Sequence, residues 1–100
     1  DPASIVIASN SFDAVQVTAE NYLRLPSCAR TTSKVCRSPR ATRPLGDAVL
    51  AGRRVRDAAQ EFVKTHPGEL GPRGLYDGIM ASVDTINQIF TQYNVQAVTR

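Results

Sequence analysis

Tryptophan is absent from this 100-residue chain, histidine occurs once and cysteine occurs twice. No apolar run approaches the roughly 20 residues that cross a bilayer, so the sequence predicts no transmembrane helix. His66, Cys28 and Cys36 are too few to form a four-ligand zinc site, and we expect neither a metal site nor a cofactor. Because His66 has no neighbouring nucleophile or orienting carboxylate in the sequence, we predict no catalytic residue, no small-molecule substrate and no enzymatic activity.

The two cysteines, Cys28 and Cys36, are separated by seven residues and bracketed by Pro26 and Pro39. A redox Cys-x-x-Cys motif is absent, which leaves a disulfide or two unrelated thiols, and the even count favours the disulfide. Such a bond would add about 2–3 kcal/mol and hold one loop in shape. It indicates an oxidising location, namely the periplasm, the cell exterior or a virion. The first residue, Asp1, fits a mature chain whose secretion signal has been removed.

Hydrophobic residues make up 42% of the chain, an ordinary value for one folded domain. Their spacing predicts an all-α fold, either a small three-helix bundle or a helical hairpin with a long N-terminal helix. We expect a single domain over 1–94, with a C-terminal tail at 95–100. The predicted helices lie at about 3–25, 43–65 and 72–93, and the disulfide-closed loop at 26–41.

Each predicted helix carries one apolar stripe at steps of three and four residues. The stripes consist of Ile5, Ala8, Phe12, Val15, Ala19 and Tyr22; of Leu45, Ala48, Val49, Gly52, Val55, Ala59, Phe62 and Val63; and of Leu75, Ile79, Val83, Ile86, Phe90 and Tyr93, widened by Met80 and Ile89. Thr42 is the expected N-cap of the second helix, with Pro44 in its first turn, and Pro72 is expected to begin the third. Asn94 suits a left-handed residue after the third helix. The first helix could pack on its own hairpin or on that of a neighbouring subunit.

The modest net charge of +3 hides an uneven distribution. Residues 24–56 hold nine cations against Asp47 alone, a net of +8, and the remainder of the chain carries −5. A basic segment can contact nucleic acid or lipid headgroups, meet an acidic protein surface, or remain solvated without a partner. No aromatic residue lies in 26–41 to stack on bases, which disfavours nucleic acid.

The residues predicted to bind a partner are Arg30, Lys34, Arg37, Arg40 and Arg43. Asp57 and Glu61 stand four residues apart, as a carboxylate pair in an acid–base site could. Their flanking cations instead predict a solvated ladder of ion pairs with Arg53, Arg54 and Lys64.

Three stretches, 12–28, 35–39 and 66–77, resemble a group of short uncharacterised alphaproteobacterial proteins, some of them in phage-derived regions and similar to small helical envelope lipoproteins. The resemblance implies a secreted or virion-associated helical protein and no particular reaction.

These observations together predict a non-enzymatic structural or interaction protein of the cell envelope, the exterior or a virion. It would assemble through helical faces and the basic disulfide-held loop, as a homo-oligomer or within a larger assembly of protein partners. The alternative is an anion-binding module that contacts nucleic acid or an acidic membrane through the Arg-rich segment 24–56.

Overall fold

A computed structural model describes residues 2–69 and 71–95 of the chain. This part of the chain forms three helices: α1 (Pro2–Leu23), α2 (Pro39–Thr65) and α3 (Arg73–Gln92). The described residues contain no strand, only an isolated backbone bridge between Ser27 and Arg37. The predicted all-α bundle with one disulfide loop is confirmed.

All three helices pack against one another, so α1 lies on its own hairpin and needs no neighbour to cover its apolar stripe. Near the end of α1, the Tyr22 hydroxyl accepts a hydrogen bond of 2.6 Å from the backbone N–H of Ser38, which precedes α2. At the opposite end, Gly71 in the connection between α2 and α3 lies against Ile5 near the start of α1. α1 and α3 therefore run in one direction and α2 in the other. The bundle is elongated, 52 × 23 × 17 Å.

The core lies where the three predicted stripes meet. Its largest fully buried side chains are Phe12, Leu45, Ile79 and Ile86. A Cβ atom at Gly52 would overlap the Phe12 ring, so the close approach of α1 and α2 depends on the missing side chain at this position. Val63, which was predicted in the stripe of α2, is exposed instead.

The start of α2 differs from the prediction. The helix begins at Pro39, four residues before the expected residue 43, and its N-cap is Ser38 rather than Thr42. Pro39 takes the first helical position, where its missing N–H is not needed. Pro44 lies inside the helix, where the missing hydrogen bond would have gone to Arg40 in the first turn, and the helix continues through it.

The ends of α3 agree more closely with the sequence. Pro72 is the N-cap and Arg73 the first helical residue, one position later than expected. Asn94 has φ of 53° and follows the C-cap residue, as predicted. The N–H of Val95 donates to the carbonyl of Phe90 at 2.8 Å, which closes the helix end as a Schellman motif. Residues 96–100 of the predicted tail lie outside the described residues.

Candidate functional site

The loop between α1 and α2 is closed by a covalent bond and by backbone hydrogen bonds. These bonds join residues 25–28 to residues 36–38, which together form the neck of the loop. Cys28 and Cys36 form the predicted disulfide, with 5.0 Å between their Cα atoms. Beside it, the N–H of Cys28 donates to the carbonyl of Arg37 and the N–H of Arg37 donates to the carbonyl of Pro26, both at 2.9 Å. Residues 29–35 consequently protrude from a fixed base.

Arg37 belongs to this neck. Its Nε donates to the carbonyl of Leu25 at 3.0 Å, and a terminal guanidinium nitrogen donates to Thr42 Oγ1 at 2.7 Å. Thr42 in turn donates to the carbonyl of Ser38 at 2.9 Å. The side chain of Arg37 therefore ties the end of α1 to the start of α2, and of the five residues predicted to bind a partner it is the one that holds the loop.

The other four residues form the basic end of the bundle. The basic end consists of Arg30, Lys34, Arg40 and Arg43. All four are exposed, and none has a hydrogen-bond or ion-pair partner for its side chain among the described residues. Arg30 and Lys34 lie on the protruding loop, whereas Arg40 and Arg43 are one turn apart in α2. The structure thus places four uncompensated cations at one end of the molecule.

Arg40 and Arg43 lie at the start of α2, where a positive charge destabilises an isolated helix. A helix N-terminus carries a partial positive charge that favours carboxylates, yet the first turn of α2 contains no acidic residue and begins with Pro39 and Arg40.

The two ends of the bundle differ in net charge. Residues 20–47 hold six cations and two carboxylates, a net of +4. At the opposite end, residues 57–80 hold four carboxylates and two cations, a net of −2. The basic end is therefore suited to an anionic contact and the far end has the complementary sign.

A single, partly exposed ion pair joins α1 to α2 in the middle of the described bundle. Arg56 donates two hydrogen bonds to the Asp13 carboxylate, at 3.0 Å from Nε and 2.9 Å from a terminal nitrogen. Hydrogen bonding by Arg56, opposed by partial burial, holds the pKa of the Asp13 carboxyl below its usual value. The same pairing raises the pKa of Arg56. Both groups serve to connect the helices.

Asp57 and Glu61 do not form the predicted ladder. Neither makes an ion pair with the described residues of the chain, and the second ion pair found there is Arg73–Asp77, at 3.5 Å on the surface of α3. His66 ends α2, where its ring stacks on Phe62 with 4.3 Å between ring centroids. Its Nδ1 is 2.9 Å from the hydroxyl of Thr65, which is a local contact at the helix end.

Within residues 2–69 and 71–95, no group of three or more His, Cys, Asp and Glu side chains is placed to hold a metal ion. In the same residues, no helix is long and apolar enough to cross a membrane.

One surface was not predicted from the sequence. The outer side of α1 exposes Ile7 and Val17, which face away from the buried stripe of the same helix. The available signal was the run Ile5-Val6-Ile7, in which a single stripe can bury only part of the apolar side chains.

Comparisons of the chain with protein-family models, with curated proteins and with solved structures find no significant match. The resemblance to alphaproteobacterial proteins accordingly stays a prediction.

Proposed function

We propose that this protein is a non-enzymatic structural and interaction protein of the cell envelope, the exterior or a virion, and that its basic end docks on an acidic surface of a protein subunit. The observation that carries the proposal is a set of four exposed cations on a loop and helix start that are held in place, namely Arg30, Lys34, Arg40 and Arg43, whose side chains have no partner among the described residues. Electrostatic complementarity of this kind sets the register and choice of partners more than it adds raw affinity.

A protein partner suits the basic end better than a flexible polyanion does. The loop is held by the disulfide, by the guanidinium of Arg37 and by the Tyr22 hydroxyl, so its cations are displayed on a fixed base. A fixed base increases the affinity for a partner whose surface also has a fixed shape, because less conformational entropy is lost on binding. The loop has no aromatic side chain for stacking on bases.

The disulfide also supports the proposed location. Disulfides form and persist in the periplasm, on the cell exterior and on virions, and they are rare in reducing compartments. The proposal of an envelope, extracellular or virion protein rests on this bond.

Charge reversal at the start of α2 tests the proposal. We expect the wild type to form species heavier than a monomer at 25 mM NaCl, and the fraction of these species to fall with salt, because exposed charges are screened over about 10 Å at 0.1 M. The double variant Arg40→Glu/Arg43→Glu should lower that fraction at least about fivefold at 25 mM NaCl. Sedimentation velocity measures the fraction. The matched control is Arg53→Glu/Arg54→Glu, which reverses two exposed arginines further along the same helix and should assemble as the wild type does.

Binding to anionic probes distinguishes protein docking from the alternative, an anion-binding module that contacts nucleic acid or an acidic membrane. A mixed-sequence single-stranded oligonucleotide and vesicles that contain anionic phospholipid are titrated with wild type and with the Arg40→Glu/Arg43→Glu variant. A monomer at every salt concentration that nevertheless binds either probe, and loses that binding in the variant, would replace protein docking with anion binding. Equal behaviour of the variant and its matched control in all assays would remove the basic end as a binding surface.

A further inference from the structure

The outer side of α1 carries a stripe of uncharged residues opposite the core. The outer stripe consists of Ile7, Asn10, Ala14 and Val17, all of them exposed. Ile7 is 65% exposed and Val17 is 59% exposed. The steps between the four residues are three, four and three, which is the spacing of a seam between two packed helices. The bundle thus leaves uncovered a second helical face that has the pattern of a contact.

Surroundings distinguish this stripe from other exposed apolar residues. Leu50 on α2 is 55% exposed, nearly as much as Val17. At helical spacing from Leu50, however, stand Asp47, Arg53 and Arg54, so that it is an isolated apolar residue on a charged surface, which is ordinary. Between Val6 and Val17 the one charged residue is Asp13, and its partly exposed carboxylate is paired with Arg56 of α2. The outer stripe is therefore continuous along about half of its helix.

We propose that the outer stripe is the interface of an antiparallel dimer, in which α1 of one copy packs against α1 of a second copy. The inference rests on the proposed assembly function and names its partner. The stripe is symmetric in position about residue 12, because Ile7 and Val17 lie five residues to either side and Asn10 and Ala14 lie two. An antiparallel pair therefore brings Ile7 opposite Val17 of the second copy and Asn10 opposite Ala14 of the second copy, which is the self-complementary pattern of a twofold interface.

Charge complementarity selects the antiparallel orientation. A parallel pair would place two basic ends, each with a net of +4 over residues 20–47, side by side. The antiparallel pair sets each basic end beside the far end of the other copy, where residues 57–80 carry a net of −2. Exposed carboxylates at that far end include Glu61 and Glu69. Like charges that oppose one another suppress the parallel arrangement, and unlike charges favour the antiparallel one.

The size of the face predicts a reversible dimer. The outer stripe runs from Ile7 to Val17, about 15 Å of helix, so a seam along it lies at the small end of specific interfaces. A groove of about 210 Å³ between α1 and α2 borders the stripe on one flank, where Val6 and Val63 line it together with the charged side chains of Arg56 and Lys64. This volume is below the roughly 300 Å³ at which small-molecule pockets begin, and it suits a protruding side chain of the second copy. We expect dissociation in the micromolar range.

A charge placed in the stripe tests the interface. At 500 mM NaCl, where contacts of the basic end are screened, the wild type should still dimerise, although at a higher protein concentration than at 25 mM NaCl, because apolar contacts withstand salt. Val17→Glu should raise the dimer dissociation constant at least about tenfold, as measured by sedimentation equilibrium. The matched control is Leu50→Glu, an equally exposed aliphatic residue on another helix, which should dimerise as the wild type does. Far-UV circular dichroism confirms that both variants fold.

Cross-linking tests the orientation. The variants Ile7→Cys and Val17→Cys are mixed and oxidised, with the native cysteines already paired as Cys28–Cys36. The antiparallel dimer yields cross-links between position 7 of one copy and position 17 of the other, identified by mass spectrometry. Cross-links confined to 7–7 and 17–17 would overturn the antiparallel arrangement.

The outcomes separate this inference from the proposed function. A monomer at 500 mM NaCl that assembles at 25 mM NaCl in a manner dependent on Arg40 and Arg43 would overturn the stripe and leave the basic end intact. Equal dimerisation of Val17→Glu and Leu50→Glu would also overturn the stripe. A salt-resistant dimer that Val17→Glu breaks, with no effect of the Arg40→Glu/Arg43→Glu variant in any assay, would support the stripe as the dimer interface. It would also show that the basic end is not a binding surface.

Discussion

At the scale of single residues, Gly52 fixes the separation of α1 and α2. Its missing side chain leaves room for the Phe12 ring, which is fully buried and cannot move aside without opening the core. The Cβ of Ser82 on α3 would lie 3.0 Å from an added Cβ, so the third helix also closes the space. The sequence placed Gly52 on the apolar stripe of α2, but only the structure shows which ring occupies the space.

Two glycine substitutions in α2 make this packing testable. Gly52→Ala should destabilise the fold by about 1–3 kcal/mol, because overpacking against Phe12 outweighs the gain in helix propensity. In Gly46→Ala the new Cβ would meet no atom of the other described helices within 4 Å, and the change should stabilise the fold by about 0.5–1 kcal/mol. Urea unfolding measures both. The same sign of change for the two variants would contradict the assigned contact.

At the scale of elements, the loop between α1 and α2 shows what a pattern of residues can and cannot predict. The cysteine count favoured the disulfide, and helical periodicity located α1 and α3 closely. The start of α2 was misplaced because Pro39 and Pro44 both suit a first turn, and only tertiary contacts of the neck decide between them. The role of Arg37 was equally out of reach, because its guanidinium bonds to Leu25, twelve residues away, and a long-range contact leaves no periodic trace.

The same limit explains why the outer stripe of α1 was missed. Periodicity identified the stripe from Ile5 to Tyr22, and the structure buries it. An exposed apolar face becomes visible only when the neighbours of each side chain are known, because isolated exposed aliphatic residues are common on surfaces. The charge of the basic end, by contrast, follows directly from the sequence, although the structure was needed to show that Arg37 is engaged.

Removal of the disulfide tests how the loop is held. Cys28→Ser/Cys36→Ser should lower the free energy of unfolding by about 2–3 kcal/mol, because the bond closes a short loop. Helix content should be unchanged, since Arg37 and Tyr22 still bind the neck. Urea unfolding and far-UV circular dichroism measure the two quantities. A variant with unaltered stability, or one that loses a helix, would show that the neck is held in another way.

At the scale of the whole molecule, ion pairs contribute little to joining the helices. Among the described residues, Asp13–Arg56 is the one ion pair that connects two helices. The helices are otherwise joined mainly by the hydrophobic side chains buried between them. The surplus cations are left at the basic end rather than neutralised within the bundle. A molecule arranged in this way keeps its charge separation available for partners, and the Asp13 carboxylate makes its stability depend on pH.

The variant Asp13→Asn tests that dependence. The pKa of Asp13 is lowered in the folded state by hydrogen bonds from Arg56, so its contribution to stability is present above the unfolded pKa of about 3.9 and is lost as pH falls through the folded value. Because the Asp13 side chain is 44% exposed, solvent screening limits that contribution to less than about 1 kcal/mol. Wild type should therefore be slightly more stable than Asp13→Asn at pH 7, and their stabilities should converge towards pH 2.

Urea unfolding between pH 2 and pH 7 measures this convergence. Asp84→Asn is the matched control, because Asp84 is exposed on α3 without an ion-pair partner among the described residues, and its loss should cost less at pH 7. If the difference between wild type and Asp13→Asn stayed constant across the range, the carboxylate charge would not be what links α1 to α2. The effect would then have to come from packing of the Asp13 side chain, which protonation leaves in place.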